Sequence, residues 1–572
     1  MAEPDRRDTH DLIVIGAGGA GLACALAGAI RGLDVLLVEH TAFVGGTTAY
    51  SAGTIWVPGS AHAVEVSAPG SDSADEAAAY LDRVTAGHGD PALRRAFLAH
   101  GPEALALLEA HSHLKLRAYA KHPDYESDLP GARLAGRALE PLPFDGRRLG
   151  RHFGLVRPPI PEFTVLGGMM VDRADINHLL AMTRSLRSLR HALGLIGRHA
   201  LDRLRHPRGT RLVMGNALVG RLLLSLVERR VPVLTNTAVQ ALSRDADGRV
   251  TGVVLRGADG VTRAVAARGG VVLASGGFNR HPRLRAERLP AAPSHTPGAP
   301  GHTGEALELA LAAGARLGEG QLDDAFWAPV SRRQRADGST AVFPHFVLDR
   351  AKPGTVVVNA AGKRFVNESV SYHRFGRAMF AARAVPAFLI ADAAALRRHG
   401  LGMVRPGGGG LGPFLRDGYL TTGATLDELA ARLGIDAAGL QRTVARMNAL
   451  ARLGDDPDFG RGRTDYQRHL GDPAFAPNPN LGPITQAPFY AVRLYPGDIG
   501  AASGLVTDAD ARVLGTGDAP IDGLYAIGND MNSIMGGAYP GPGITIGPAL
   551  VFASLAARHV AGRLGRTPLP PT

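Results

Sequence analysis

One cysteine, Cys24, stands in 572 residues. An intrachain disulfide is excluded, and so is any redox relay built on paired thiols. Cys24 lies in an Ala/Leu-rich stretch and reads as a small core residue. Lysine is nearly as scarce: Lys115, Lys121, Lys352 and Lys363 are the only four among 63 Lys and Arg. The formal net charge of +11 is therefore carried by arginine, and most of it reads as solvated surface. Aromatics make up 5% of the chain and do not interleave with a basic motif, so nucleic acid is not an expected partner. No uncharged apolar run reaches the ~18 residues of a spanning helix. Residues 1–11 (MAEPDRRDTHD) lack the apolar core of a signal peptide. These absences predict a cytoplasmic protein. The pair His111 and His113 has no further ligands nearby in sequence, and no metal is expected.

What is present is a dinucleotide-binding unit at the start of the chain. Asp11–Ile15 reads as an apolar strand. Gly16, Gly18 and Gly21 follow as GxGxxG, then an Ala/Leu-rich helix and a second strand ending at Glu39. Gly16 permits a tight turn, Gly18 lets the backbone approach a pyrophosphate, and Gly21 allows close helix–strand packing. The helix N-terminus offers free N–H groups to phosphates, and a carboxylate at the end of the second strand binds ribose hydroxyls. The loop Gly45-Gly46-Thr47-Thr48 comes next. It resembles the second phosphate and flavin contact of FAD enzymes of the glutathione-reductase type, which favours FAD over NAD. Two later fragments repeat the strand-then-glycine pattern: VVLASGGF (271–278), with Ser275, Gly276 and Gly277, and GLYAIGN (523–529), with Gly528 and Asn529. Distant returns of this kind suit an extended cofactor.

Apolar content of 45% and charged content of 20% are globular values, and the length calls for two domains. Helical spacing occurs within 70–115, at 217–228, 304–317, 426–433 and 438–453, and at 549–563. Residues 119–165 and 455–487 read as loops, and the Gly407–Gly410 run, with no strand before it, reads as a loop and not a second nucleotide site. The expected fold is α/β. A Rossmann-like FAD-binding domain is discontinuous over 1–320 and 496–572, with an α+β substrate and catalytic domain inserted at 321–495.

Four segments carry a family resemblance: GGTTAYSAGTIWVP (45–58), GKRFVNESVSYHRFGRAM (362–379), PFYAVRLYPGDIG (488–500) and GNDMNSIMGGAYPGPGITIGPALVFASLAA (528–557). In this order they resemble 3-ketosteroid Δ1-dehydrogenases, within the wider fumarate-reductase-like flavoproteins. The resemblance implies removal of two hydrogens from adjacent ring carbons beside a ketone. Polarising the carbonyl acidifies the neighbouring C–H, a base takes the proton, and a hydride passes to flavin N5. It implies that Tyr539 and the Gly543 N–H bind the ketone oxygen and that Tyr372 is the base. Tyr125 is the candidate assistant to that base, with Tyr119 close enough in sequence to be confused with it. Ser371 stands where the family usually carries Pro, which predicts a less rigid base loop. Ala52 and Ala501-Ala502-Ser503 also depart from the family pattern, at positions expected to line or back the pocket.

Fumarate-type chemistry demands an arginine clamp, yet 528–557 contains no Arg. A neutral ketone is therefore favoured. The alternatives are a flavin-dependent reductase of an enone or unsaturated acid, and a non-catalytic flavin protein at a membrane. The electron acceptor is not specified by the sequence. The last possibility draws on residues 178–206. There Leu179, Met182, Leu186, Leu189, Leu193, Ile196 and Ala200 form a stripe at helical spacing, with Arg184, Arg187, Arg190, His191, Arg198, Arg203 and Arg205 around it. The favoured expectation is that this stripe packs on the FAD domain or a second subunit. The alternative is that it lies in an anionic membrane interface.

Overall fold

Leu12, Ile13, Val14 and Ile15 form an unbroken apolar run, and all four are buried. Such a run marks a parallel strand covered on both faces. A computed structural model describes residues 8–67, 72–291, 294–346 and 349–566. The reading of residues 1–7 as free of a leader, and the outer ends of the expected FAD domain, lie outside those residues. The strand Thr9–Ile15 pairs in parallel with Val35–Val38, Leu12 opposite Val35, and with Thr262–Leu273, Ile13 opposite Val271. Val233–Leu234 extends the sheet beyond Val35–Val38. Val250–Arg256 and Ala238–Arg244 extend the other side as an antiparallel ribbon. Pro520–Ala526 joins Thr262–Leu273 in parallel, and Arg512–Leu514 pairs with it, completing eight strands. The helix Gly19–Ile30 packs against Met214–Glu228 and the terminal helix Ile546–Arg563.

A second sheet of six strands is wholly antiparallel. Its long strand Phe489–Ala501 pairs with Ala325–Gln334, Ala387–Ala391 and Thr421–Gly423, and Thr340–Pro344 and Thr355–Val358 flank these. The expected boundary at 496 falls inside this strand. Cys24 is fully buried, as a core residue should be, and burial pushes its thiol up to about 12.

Three local expectations change. The helix expected over 304–317 is Glu305–Ala312, because Gly314 at φ +94° turns the chain away. The presumed loop at 119–165 contains the strand Ala138–Pro141, paired with Leu116–Ala118 and Ile55–Trp56. The segment 178–206 is not one helix: Arg173–Leu180 and Leu186–Arg203 are separated by a break that Ser185 caps. The expected stripe packs only in part: Leu179, Met182, Leu189 and Ile196 are half-buried, and Leu186, Leu193 and Ala200 are exposed. The inward face of Leu186–Arg203 is Ser188, Ala192, His199 and Asp202. Polar bonds decide this orientation. Asp202 accepts from the Thr210 N–H and hydroxyl, both at 2.8 Å, and His199 Nε2 donates to the Leu166 carbonyl at 2.9 Å. Among the described residues no helix is long and apolar enough to cross a membrane.

Candidate active site

The glycine turn opens onto a large cavity. Gly16 sits at φ +99°, and an added Cβ there would lie 2.4 Å from the Ala274 carbonyl oxygen. At Gly21 it would lie 1.8 Å from the Gly16 oxygen, so Gly21 sets the closeness of helix and turn. At Gly18 it would meet nothing within 4 Å, which leaves the backbone bare on the cavity side. The helix Gly19–Ile30 has no side-chain cap at Gly18; its Gly19 N–H donates to the Thr48 hydroxyl at 3.2 Å, and the N–H groups of Ala20 and Gly21, without an acceptor among the described residues, are available to an anion. Glu39 is buried on the same wall. Its Oε2 accepts from the Ala17 N–H at 2.9 Å, and its Oε1 from the Thr41 N–H and hydroxyl at 2.9 and 2.7 Å. Gly46, Thr47, Thr48, Ser275, Gly276, Gly528 and Asn529 line the cavity too, whereas Gly45 and Gly277 stand behind the wall. This bare, donor-rich cradle fits a dinucleotide.

Three residues absent from the sequence reading complete it. Asp530, buried, accepts from the Ser275 N–H, the Ser275 hydroxyl at 2.9 Å and the Gly277 N–H at 2.7 Å, tying two distant glycine turns together. Burial raises its carboxyl above the ordinary range. Arg157 lines the cavity beside Glu39, donating to the Thr41 hydroxyl at 2.6 Å and the Phe43 carbonyl at 3.3 Å. His302 is buried against Thr47, its Nδ1 has no partner among the described residues, and burial pushes its imidazole down to about 4. A lone aspartate, arginine or histidine in a loop carries no spacing signal, which is why sequence alone did not reveal them.

The same cavity reaches four tyrosine-loop residues placed by distant segments: Tyr125, Tyr372, Tyr539 and Gly543. The Tyr125 hydroxyl donates to that of Tyr372 at 3.0 Å. Tyr119 is instead 3.3 Å from the Thr54 hydroxyl, so the ambiguity between Tyr119 and Tyr125 closes on Tyr125 as the neighbour of Tyr372. The Tyr539 ring stacks on Tyr125 at 5.7 Å between centroids and meets Tyr372 edge-on at 5.0 Å. Tyr372 is the first residue of the helix Tyr372–Ala381. Buried Ser371, where the family usually carries Pro, caps that helix by accepting from the Arg374 N–H. The fully buried Arg350 adds a clamp: it donates to the carbonyls of Val370 at 2.7 Å, Phe346 at 2.9 Å and His345 at 3.0 Å. Phe346 in turn packs on the Tyr372 ring.

Gly543, at φ +92°, lies so close to Thr54 that an added Cβ would be 2.4 Å from its carbonyl oxygen. Its own carbonyl accepts from the Gly547 and Trp56 N–H groups, while among the described residues its N–H has no acceptor. Burial raises Tyr372 and Tyr125 well above an ordinary phenol. Tyr539 is pushed by burial to about 12, with Tyr372 and Thr545 pulling the other way. Ala52 lines the cavity, and Ala501 backs it, against Gly277. Among the described residues no cluster of His, Cys, Asp and Glu could hold a metal.

Comparison with known proteins accounts for this arrangement. A family model described as an FAD binding domain matches residues 11–546. The chain belongs to this FAD-binding family. It is an FAD-dependent oxidoreductase. It is 39% identical to the 4-oxocyclohex-2-ene-1-carboxylate 5-dehydrogenase of Sinomonas cyclohexanicum, over 96% of this chain and 93% of that one. It is 37% identical to the 3-oxosteroid 1-dehydrogenase of Mycolicibacterium smegmatis, over 96% and 97%. Its fold superimposes with TM-score 0.90 on the 3-ketosteroid delta1-dehydrogenase from Sterolibacterium denitrificans solved in complex with 1,4-androstadiene-3,17-dione. That match has 36% identity and covers 97% and 100% of the chains. A flavocytochrome c3 fumarate reductase shares the fold, at TM-score 0.64 and 22% identity.

Proposed function

We propose that this enzyme desaturates a neutral cyclic ketone, a 3-oxosteroid at its C1–C2 bond. The carrying observation is that the Tyr539 phenol, the unpaired Gly543 N–H and the Tyr125–Tyr372 pair line one cavity with the glycine turn. Tyr539, kept protonated by burial, and the Gly543 N–H donate to the ketone oxygen and stabilise the enolate that forms there. Tyr372 takes the proton from C2, and Tyr125 donates to the Tyr372 oxygen and steadies its charged form. FAD, when bound, supplies the two-electron acceptor for the hydrogen leaving C1. Glu39 holds its ribose, and Gly16, Gly18 and the first turn of Gly19–Ile30 its phosphates. Gly46, Thr47, Thr48, Ser275, Gly276, Gly528 and Asn529, with His302 and Arg157, form the rest of its bed. The six-stranded sheet belongs to the substrate-side domain in this reading.

The relative from Sinomonas acts, by its name, on a keto-carboxylate. A carboxylate needs a cation near the tyrosines. The basic side chains lining the cavity among the described residues are Arg157, turned to Thr41 and Phe43, and two histidines. His122 is held by burial near 3 and His302 near 4, so both are neutral at physiological pH. Phe163, Phe326, Phe346, Ile160 and Ile499 supply apolar wall instead. This favours a neutral polycyclic substrate. Anaerobic mixing of the FAD-loaded enzyme with 4-androstene-3,17-dione should bleach the flavin, and 4-oxocyclohexanecarboxylate should not. Bleaching by the carboxylate alone would reverse the assignment. The reading extends to peripheral contact with a membrane, where such substrates partition.

A further inference from the structure

Pro344 and Phe346 line the cavity, and His345 between them points the other way. His345 is pinned there: its Nδ1 lies 2.6 Å from Asp349 Oδ2, and its Nε2 lies 2.8 Å from the Ser331 hydroxyl. All three residues are buried and none lines the cavity, so this Ser–His–Asp order is a brace and not a nucleophile. Arg350 continues the brace toward the base. Its Nε and Nη2 donate to the carbonyls of His345 and Phe346, and its Nη1 to those of Glu368 and Val370. One planar fork thus joins the end of the cavity-wall strand Thr340–Pro344 to the turn that leads into Tyr372. Phe346 rests on the Tyr372 ring with 4.9 Å between centroids, and Phe375, one turn along the helix from Tyr372, faces the guanidinium at 5.1 Å. Carbonyls satisfy this fully buried guanidinium, but no carboxylate among the described residues pairs with it. The acids near it are engaged elsewhere: Asp349 with His345 and the Gly402 N–H at 2.9 Å, Glu368 with Arg364 at 2.7 Å and Arg461 at 3.2 Å.

We infer that Arg350 is a positioning residue for the Tyr372 base, fixing cavity wall and base loop at one spacing and leaving a positive charge beside the tyrosine cluster. The inference rests on the functional reading above, in which Tyr372 takes the proton. Holding a cation away from water without a carboxylate is costly. A phenolate in the Tyr125–Tyr372 pair offsets that cost, so the charge favours the reactive form of the base. The other groups facing the pair supply no comparable cation. Tyr466 and Tyr539 are phenols packed on Tyr125, Glu126 is paired with Arg374 at 2.7 Å, and His373 Nδ1 accepts from the Trp327 N–H at 3.0 Å. Burial keeps Tyr125 well above an ordinary phenol, while its bond to Tyr372 and the Arg350 charge pull it down. Because the two hydroxyls share one hydrogen bond, a cation that eases charge onto either eases loss of a proton from the pair.

The test is anaerobic stopped-flow reduction of the FAD-loaded full chain by 4-androstene-3,17-dione across pH 6 to about 10, with Tyr372→Phe measured alongside. Arg350→Lys keeps the charge and loses the planar fork. It should lower the limiting reduction rate by about tenfold or more at every pH, with flavin content and steroid Kd unchanged and the alkaline rise at its wild-type position. Arg350→Gln loses the charge as well, and its alkaline rise should move up by about one pH unit, a further tenfold at any pH on the slope. A wild-type limiting rate in Arg350→Lys would overturn the proposal, and it does so even where Arg350→Gln yields no FAD-loaded protein. Variants that lose rate only in proportion to lost flavin or steroid affinity would overturn it too, since the arginine would then serve the fold alone. Wild-type reduction in Tyr372→Phe would instead sink the assignment of the base, whatever the Arg350 variants do.

Discussion

As the proposed base, Tyr372 has to be ionised to take a proton, yet burial among Tyr125, Tyr539 and Phe346 raises its phenol well above the usual value. The sign follows: below that raised value the reactive phenolate is a minor form whose share grows about tenfold per pH unit. Flavin reduction measured by stopped flow should therefore rise with pH through the alkaline range, without a plateau near neutrality. A flat profile from pH 6 to about 9 would remove Tyr372 as the base. Tyr539 carries the opposite requirement, since it must keep its proton. Tyr539→Phe should lower kcat by about one to three orders of magnitude with FAD still bound, the usual effect of losing one such donor. Near-normal turnover would take Tyr539 out of the mechanism. For Gly543 any side chain fails twice, through φ +92° and through the Thr54 carbonyl, so Gly543→Ala should lose steroid-induced bleaching altogether.

At the scale of elements, the nucleotide turn was readable because its chemistry is written in spacing. Strand, three glycines, helix and acid occur consecutively, and the structure shows why two of the glycines are needed: an added Cβ would lie 2.4 Å from the Ala274 oxygen at Gly16 and 1.8 Å from the Gly16 oxygen at Gly21. The helix at Leu426–Leu433 was legible for the same reason, since its apolar period has no competitor. Residues 178–206 misled because periodicity reports a stripe and not which side faces the core. Ser188, His199 and Asp202 found polar partners inside, and those bonds outweighed the leucines in setting the orientation. The cradle residues Asp530, Arg157 and His302 were invisible for a different cause: each acts through tertiary contacts made by loops remote in sequence. Two substitutions separate cradle from fold. Glu39→Ala should weaken FAD retention on desalting, and His302→Ala should do so to a smaller degree, both with near-native far-UV circular dichroism. Full flavin occupancy in Glu39→Ala would argue against its ribose role.

Across the whole molecule, segments hundreds of residues apart meet around the cavity. Gly16 abuts Ala274, Gly528 abuts Ala20, and Asp530 grips Ser275 and Gly277. The strand Phe489–Ala501 carries the antiparallel sheet to within contact of the same glycine turn, where Ala501 touches Gly277. A ligand lying along this seam binds the folded chain and not the unfolded one, so it stabilises by mass action: about 2.7 kcal/mol when free FAD stands at a hundred times its Kd. For a chain of this size that corresponds to a Tm higher by about 2 °C. Removing FAD by mild acid or chaotrope treatment and then refilling the protein should lower and restore Tm in step with flavin content. Proteinase K, which does not need a basic residue, should cut the flavin-free form faster in the glycine turns around 275–277 and 528–530 than in the buried strand Thr9–Ile15. A flavin-free protein with unchanged Tm and cleavage pattern would mean that the cavity is held open by the fold alone, and that FAD contributes chemistry but no cohesion.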